Sequence, residues 1–142
     1  MADRKTFELS LVTPEGAAYE GEAEMVVVPG AAGDVGVLAR HAPLVATLRA
    51  GSVRVYRSID PEEMDEYAIG PGFFKVERDR AIALVDDAVS AGAIDFERAQ
   101  GQLEAAQAEL EAIERDDSTA DRWQVEQRLR HAQNQLNVVG RG

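Results

Sequence analysis

The sequence predicts a β + α protein: an N-terminal β-sandwich followed by a C-terminal antiparallel two-helix hairpin. Three observations carry this reading. All five prolines and eight of the twelve glycines lie before residue 90 of the 142-residue chain. The same half is filled with short alternations of apolar and polar residues. Beyond residue 90 there is no proline, and Ala, Glu, Gln, Leu and Arg dominate, with apolar residues recurring every three or four positions. Proline and glycine punctuate short strands, whereas the second composition and period are those of long helices. The boundary is expected within residues 88–94, giving a sandwich domain over 1–90 and a hairpin over 91–142.

Phe7, Leu9 and Leu11 alternate with Glu8 and Ser10, and Thr13-Pro14-Glu15-Gly16 then turns the chain. Met25-Val26-Val27-Val28 reads as a buried strand closed by Pro29-Gly30. Val53 and Val55 alternate with Ser52, Arg54 and Tyr56 before the acidic turn Asp60-Pro61-Glu62-Glu63. Tyr67–Ile69, Phe73–Val76 and Ala81–Val85 are further strands. Strands this short, at intervals of roughly 8–12 residues, belong to a sandwich or barrel. A lone hairpin is marginal in water, so they must pack in two layers around a shared core.

The first helix presents Phe96, Ala99, Leu103, Ala106, Leu110 and Ile113 on one stripe. The second presents Val125, Leu129, Ala132, Leu136 and Val139. Such narrow stripes are seams for packing helix on helix. Asp95 caps the first helix, with Ile94 placed to staple over Ala99, and Ser118 or Thr119 caps the second. The short connection through Asp116-Asp117 folds the helices back antiparallel. Small seam residues such as Ala99, Ala106 and Ala132 bury little area, so the hairpin is expected to be only weakly stable by itself.

Composition narrows the function. The formal net charge is −11, from 26 acidic and 15 basic residues. Nucleic acids and anionic lipid surfaces demand a basic footprint, so neither is an expected partner. With no cysteine there is no disulfide framework, thiolate metal site or cysteine nucleophile. No apolar run approaches the ~20 residues of a membrane span, and the start MADRKTF lacks the apolar core of a signal peptide.

Candidate chemistry is sparse. His41 lies in the loop Arg40-His41-Ala42-Pro43-Leu44, and His131 lies off the seam of the second helix. Nothing links them into a metal or catalytic cluster. Asp86-Asp87 and Asp116-Asp117 read as turn and cap residues, since neighbours in an extended chain point apart. Gly30, Gly33 and Gly36 are not followed by the Lys and Ser/Thr of a phosphate loop, so they read as a tight loop between strands. At the start of the first helix, free N–H groups and Arg98 could together meet a phosphate.

The stretch Gly33-Asp34-Val35-Gly36-Val37-Leu38-Ala39-Arg40-His41-Ala42-Pro43-Leu44 resembles the epsilon subunit family of F-type ATP synthases. That family carries an acidic residue between two glycines and a His-Ala-Pro-Leu tetrapeptide a few residues later. Thr13-Pro14-Glu15-Gly16 with Tyr19 resembles the family's first turn. Gly70-Pro71-Gly72-Phe73-Phe74-Lys75-Val76, then Ala81–Ala88 and the terminal helices from Ile94-Asp95, complete the order. The resemblance spans essentially the whole chain.

The resemblance implies a sandwich of about ten strands and a non-catalytic rotor subunit of the central stalk. Its partners would be the gamma subunit and the c-ring, with the alpha and beta subunits reached through the hairpin. Such a subunit is peripheral to the cytoplasmic face of the cell membrane, without inserting into it. It couples proton flow through the ring to ATP synthesis, and its hairpin can inhibit ATP hydrolysis. Asp34 matches the acidic position facing the c-ring, His41 matches a position at the gamma-facing surface, and Ala42, Pro43 and Leu44 are expected at the interface beside it. No cofactor is required. Some bacterial members bind regulatory ATP at an Ile/Leu-Asp-x-x-Arg-Ala motif, matched here by Ile94, Asp95, Arg98 and Ala99. The second-helix arginines that assist them fall at His131 and Gln135, while Arg128 and Arg130 face other directions. The hairpin holds six basic and ten acidic residues, a net of −4, where strongly inhibiting members often carry a basic tip. The alternative reading is a stand-alone sensor whose hairpin closes on ATP at Asp95 and Arg98.

Overall fold

The computed structural model describes residues 5–140. The chain forms two compact units, Met1–Ala91 and Gly92–Gly142. Among the described residues the first holds ten strands: β1 Phe7–Thr13, β2 Gly16–Ala23, β3 Met25–Gly30, β4 Gly33–Leu38, β5 Leu44–Leu48, β6 Gly51–Ser58, β7 Glu63–Ile69, β8 Gly72–Glu77, β9 Arg80–Val85 and β10 Ala88–Ser90. They pair in the order β10-β7-β6-β3-β5-β8-β9-β1-β2, with β4 added to β3. The edge strands β2 and β10 approach each other, so the sheet nearly closes on itself as a sandwich. All pairs are antiparallel except β1 with β9, where Leu9 lies beside Ala81 and Leu11 beside Ala83.

The core follows from period-two burial. Phe7, Leu9 and Leu11 of β1 face inward with Val26 and Val28 of β3, Val53 and Val55 of β6, and Phe74 and Val76 of β8. Small Ala81 and Ala83 on β9 leave room for the larger side chains opposite. β3, which reads as a buried strand, buries Val26 and Val28 fully, whereas Met25 and Val27 are half-buried. Near the closure, the Tyr19 and Tyr67 rings meet edge to face with centroids 6.5 Å apart, and Tyr19 Oη donates to the Glu22 carbonyl at 2.7 Å. Burial raises the pKa of both phenols, and the nearby Asp65 carboxylate raises them further.

The second unit is a helical hairpin, α1 Phe96–Glu114 and α2 Arg122–Gly140, after a single 3-10 turn at Ala91–Ala93. Each helix has 19 residues, about 28 Å. Asp95 caps α1: its carboxylate accepts the Arg98 N–H at 3.1 Å. The C-terminus of α1 is closed by Asp116 N–H to the Ile113 carbonyl, 3.1 Å, and Asp117 N–H to the Ala112 carbonyl, 2.8 Å. This is the Schellman arrangement, with Asp116 in the left-handed region at φ 59°.

Two details of the hairpin differ from the sequence expectation. Asp121, rather than Ser118 or Thr119, caps α2, accepting from Trp123 N–H at 2.9 Å. Ser118 turns back instead, donating to Glu109 at 2.6 Å and fastening the loop to α1. In the seam Ala99, Leu103, Ala106, Val125 and Ala132 are buried. Phe96 is exposed, and Val138 is buried in preference to Val139.

Candidate functional site

Asp34 and His41 do not come together. Asp34 sits at the start of β4, paired with Pro29 of β3, and His41 follows the far end of that strand. Six residues of β4 separate the two ends by about 20 Å. The two positions therefore lie at opposite ends of β4.

The Asp34 end is a two-residue hairpin. Gly30 and Gly33 pair across Ala31-Ala32, and Gly33 adopts φ 138°, a conformation that favours glycine. The segment expected to be a glycine loop is thus strand β4, with its turn placed earlier. Backbone pairing with β3 keeps Gly33 and Gly36 in the strand despite their poor strand propensity. Two hydrogen bonds tie the tip to the end of β5: Ala31 N–H to the Thr47 carbonyl, 2.9 Å, and Arg49 N–H to the Pro29 carbonyl, 3.0 Å. Arg49 Nη2 also donates to Asp34 Oδ1 at 2.9 Å. A side chain at Gly51 would bring its Cβ to 2.9 Å from Pro29 Cβ and 3.2 Å from Arg49 Nη1, so the glycine makes room for the guanidinium.

At the other end, Arg40 N–H donates to Asp79 Oδ1 at 2.9 Å, joining the loop after β4 to the β8–β9 turn. His41 Nδ1 lies 2.7 Å from the Ala42 carbonyl, which requires the proton on Nδ1. Leu44 belongs to β5 rather than to the loop. Beyond it, the outer face of β5, β8 and β9 leaves large apolar side chains uncovered: Val45 is 70% exposed, Phe73 61% and Leu84 50%. Phe73 pairs with Thr47 on one side and Leu84 on the other. A groove of about 300 Å³ runs beside Pro43, Leu44, Val45 and Lys75. The adjacent pair Phe73-Phe74 holds the sequence signal for this surface, since neighbours in a strand face opposite sides and only one can be core. Arg49 offered no comparable signal, because its partner Asp34 is fifteen residues away.

In the second unit Ile94 is half-buried, Ala99 is buried, and Asp95 and Arg98 are exposed. Asp95 spends one carboxylate oxygen on the cap, and among the described residues Arg98 has no ion-pair partner. His131, expected on the exposed side of α2, is half-buried, as is Gln135. Arg128 and Arg130 are exposed. Among the described residues no group of three or more His, Asp and Glu could hold a metal ion, and no helix is long and apolar enough to cross a membrane.

Residues 6–91 match the family described as the ATP synthase, Delta/Epsilon chain, beta-sandwich domain. The chain belongs to the ATP synthase delta/epsilon family. Within that family, it is 37% identical to the ATP synthase epsilon chain of Halalkalibacterium halodurans, over 96% of this chain and 98% of the relative. The ATP synthase epsilon chain of Rubrobacter xylanophilus is also 37% identical, over 92% of this chain and 90% of that one. In solved structures the same fold occurs in the Euglena gracilis mitochondrial ATP synthase OSCP/F1/c-ring assembly. The TM-score is 0.72 at 24% identity, covering 92% of this chain and 79% of that one. Both the sandwich and the helical hairpin of the epsilon-family reading are therefore present.

Proposed function

We propose that this chain is the non-catalytic rotor subunit of a bacterial F-type ATP synthase, docking on gamma and on the c-ring. One observation carries the reading: in a member of this family, the His41–Leu44 segment opens onto the uncovered apolar face of Val45, Phe73 and Leu84. An exposed Phe amid aliphatic side chains, rimmed by Lys75 and Glu77, has the make-up of a protein interface with an apolar centre and charged rim. Gamma occupies this face, and the Asp34 hairpin at the opposite end meets the polar loops of the ring. The subunit stands on the cytoplasmic side of the membrane, held there by protein contacts and not by lipid charge.

The hairpin is the regulatory arm. Its short seam of small residues makes it weakly stable, and an element poised between two arrangements needs a difference of only a few kcal/mol. In its released arrangement it reaches the alpha and beta subunits and restrains ATP hydrolysis. The stand-alone sensor is less well supported, because Asp95 is committed to capping α1.

Mixing the purified chain with its cognate gamma subunit tests the docking. A stable complex at micromolar concentration is expected, weakened by Phe73→Ser; absence of association sinks the rotor reading. Removing residues 91–142 from the assembled enzyme should raise ATP hydrolysis and leave assembly intact. Unchanged hydrolysis removes the inhibitory role.

A further inference from the structure

Two arginines occupy backbone conformations that favour glycine. Arg40 has φ 64° and Arg78 has φ 49°. Both lie at the His41 end, on turns joined by the hydrogen bond from Arg40 N–H to Asp79 Oδ1. Arg78 and Asp79 form the two-residue loop between β8 and β9, since Glu77 pairs with Arg80 across it. Such loops are ordinarily built from Asn, Asp and Gly, which reach positive φ at little cost. An arginine contributes nothing to the turn that glycine would not do better.

The charges are equally unusual. In a sandwich domain of net charge −7, Arg40 and Arg78 are both exposed. Among the described residues neither guanidinium has an ion-pair partner, whereas neighbouring Arg80 pairs with Glu8 at 3.2 Å and Lys75 with Glu77 at 3.3 Å. Arg40, His41, Arg78 and Asp79 line one shallow concavity, next to exposed Pro43 and Val45. Backbone strain and unpaired cations thus coincide beside an apolar face. Strain kept in a fold at such a place is commonly retained for function.

We propose that Arg40 and Arg78 form a paired cationic contact that receives an acidic segment of the gamma subunit. This rests on the reading that the His41 end faces gamma, and adds the chemistry of the partner segment: two or more carboxylates flanking an apolar stretch. Arginine suits this role because its planar fork binds carboxylates in bidentate fashion. A protein segment fits better than a lipid surface, because the rest of the domain repels anionic membranes while the adjoining apolar face has the make-up of a protein interface.

The proposal sets stability against binding. The full-length chain and its Arg40→Gly, Arg78→Gly and double variants are titrated with cognate gamma at 50 and 300 mM salt, alongside thermal melts. The glycine variants should melt about 2–6 °C higher, because strain is relieved. The double variant should bind gamma about tenfold more weakly at low salt and lose most of the salt dependence. Arg40→Lys keeps charge and strain but loses the bidentate fork, so it should retain the salt dependence while binding more weakly than the parent and more tightly than Arg40→Gly. Lys binding no better than Gly would overturn the charge contact at Arg40. Retention of affinity and salt dependence in the double variant overturns the proposal while leaving gamma docking intact. Failure of the parent to bind gamma sinks the docking reading itself, and this contact with it. Phosphatidylglycerol-containing vesicles are the control: binding by the parent that the double variant loses would assign the arginines to the membrane, which also overturns the proposal.

Discussion

Arg49 Nη2 and Asp34 Oδ1 stand 2.9 Å apart, across the gap between the end of β5 and the start of β4, with both side chains about half exposed. The acidic position proposed to face the ring is therefore half of an ion pair. Half-exposed pairs of this kind contribute about 0.2–1 kcal/mol, so Arg49→Ala and Asp34→Ala should each lower unfolding stability by no more than about 1 kcal/mol. Association separates the two ends of the sandwich. Asp34→Ala should weaken binding to detergent-purified c-ring and leave binding to gamma unchanged. Equal loss toward both partners would show that the variant disturbs the fold instead.

Phe73 and Phe74 are adjacent in β8 and do opposite work. Phe74 is fully buried, whereas Phe73 is largely exposed. Phe74→Ala should cost about 3–5 kcal/mol in denaturant unfolding. Phe73→Ala should change stability by less than about 0.5 kcal/mol yet weaken gamma binding. If Phe73→Ala unfolds the protein as readily as Phe74→Ala, the outer face is not an open docking surface.

This contrast shows what could be read from sequence and what could not. The alternations of β1, β6 and β9 mark their inward faces directly, because strand period and burial coincide. β2 is not legible in the sequence because, as an edge strand, it exposes most of GAAYEGEA and has no buried stripe. β4 is obscured in the sequence by Gly33 and Gly36, whose propensity argues for a loop although both pair with β3. The helices were legible for the opposite reason: a 3–4 spacing maintained over five turns has few other meanings. Of the site, Asp34 and His41–Leu44 were visible through resemblance. Arg49, Arg40 and Arg78 were not, since a cross-strand ion pair and a positive φ leave no mark in local sequence.

Asp116 holds the left-handed position of the α1 C-terminus at φ 59°. Aspartate tolerates that region better than most residues, but glycine adopts it freely. Asp116→Gly should stabilise the hairpin by about 0.5–1 kcal/mol. Hydrogen exchange of the α1 and α2 amides in the full chain should slow by about two- to fivefold. Faster exchange would mean that the Asp116 side chain matters more to the hairpin than its backbone strain.

Tyr67 is almost fully buried, and both it and Tyr19 have raised pKa values, first through burial and then through Asp65. The sign follows from which form the fold disfavours. In the unfolded chain tyrosine ionises near its ordinary value of 10.0, whereas the folded protein resists the charge. Stability from these groups is fully present below pH 10 and is lost as pH rises through the higher folded pKa. Unfolding midpoints should therefore fall in the alkaline range, and Tyr67→Phe should flatten that decline. An unaltered slope in Tyr67→Phe would locate the alkaline loss elsewhere.

Asp95 and Arg98 separate helix capping from ligand binding. Asp95 Oδ1 accepts the Arg98 N–H at 3.1 Å, so Asp95→Ala should cost the hairpin about 1 kcal/mol whether or not nucleotide is present. The Arg98 side chain has no ion-pair partner among the described residues, and Arg98→Ala should leave stability within about 0.5 kcal/mol. Any nucleotide contact must then rest on the Arg98 guanidinium and the remaining free N–H groups of the first turn, with His131 and Gln135 standing where assisting arginines would be. That arrangement supports weak binding at best, at millimolar concentration. Calorimetry of the full chain with ATP, repeated on Arg98→Ala, checks it. Heat in the parent that vanishes in the variant assigns the phosphate contact to Arg98. No heat from the parent at millimolar ATP leaves Asp95 as a cap and Arg98 as a solvated cation, and the arm is then governed by protein contacts alone.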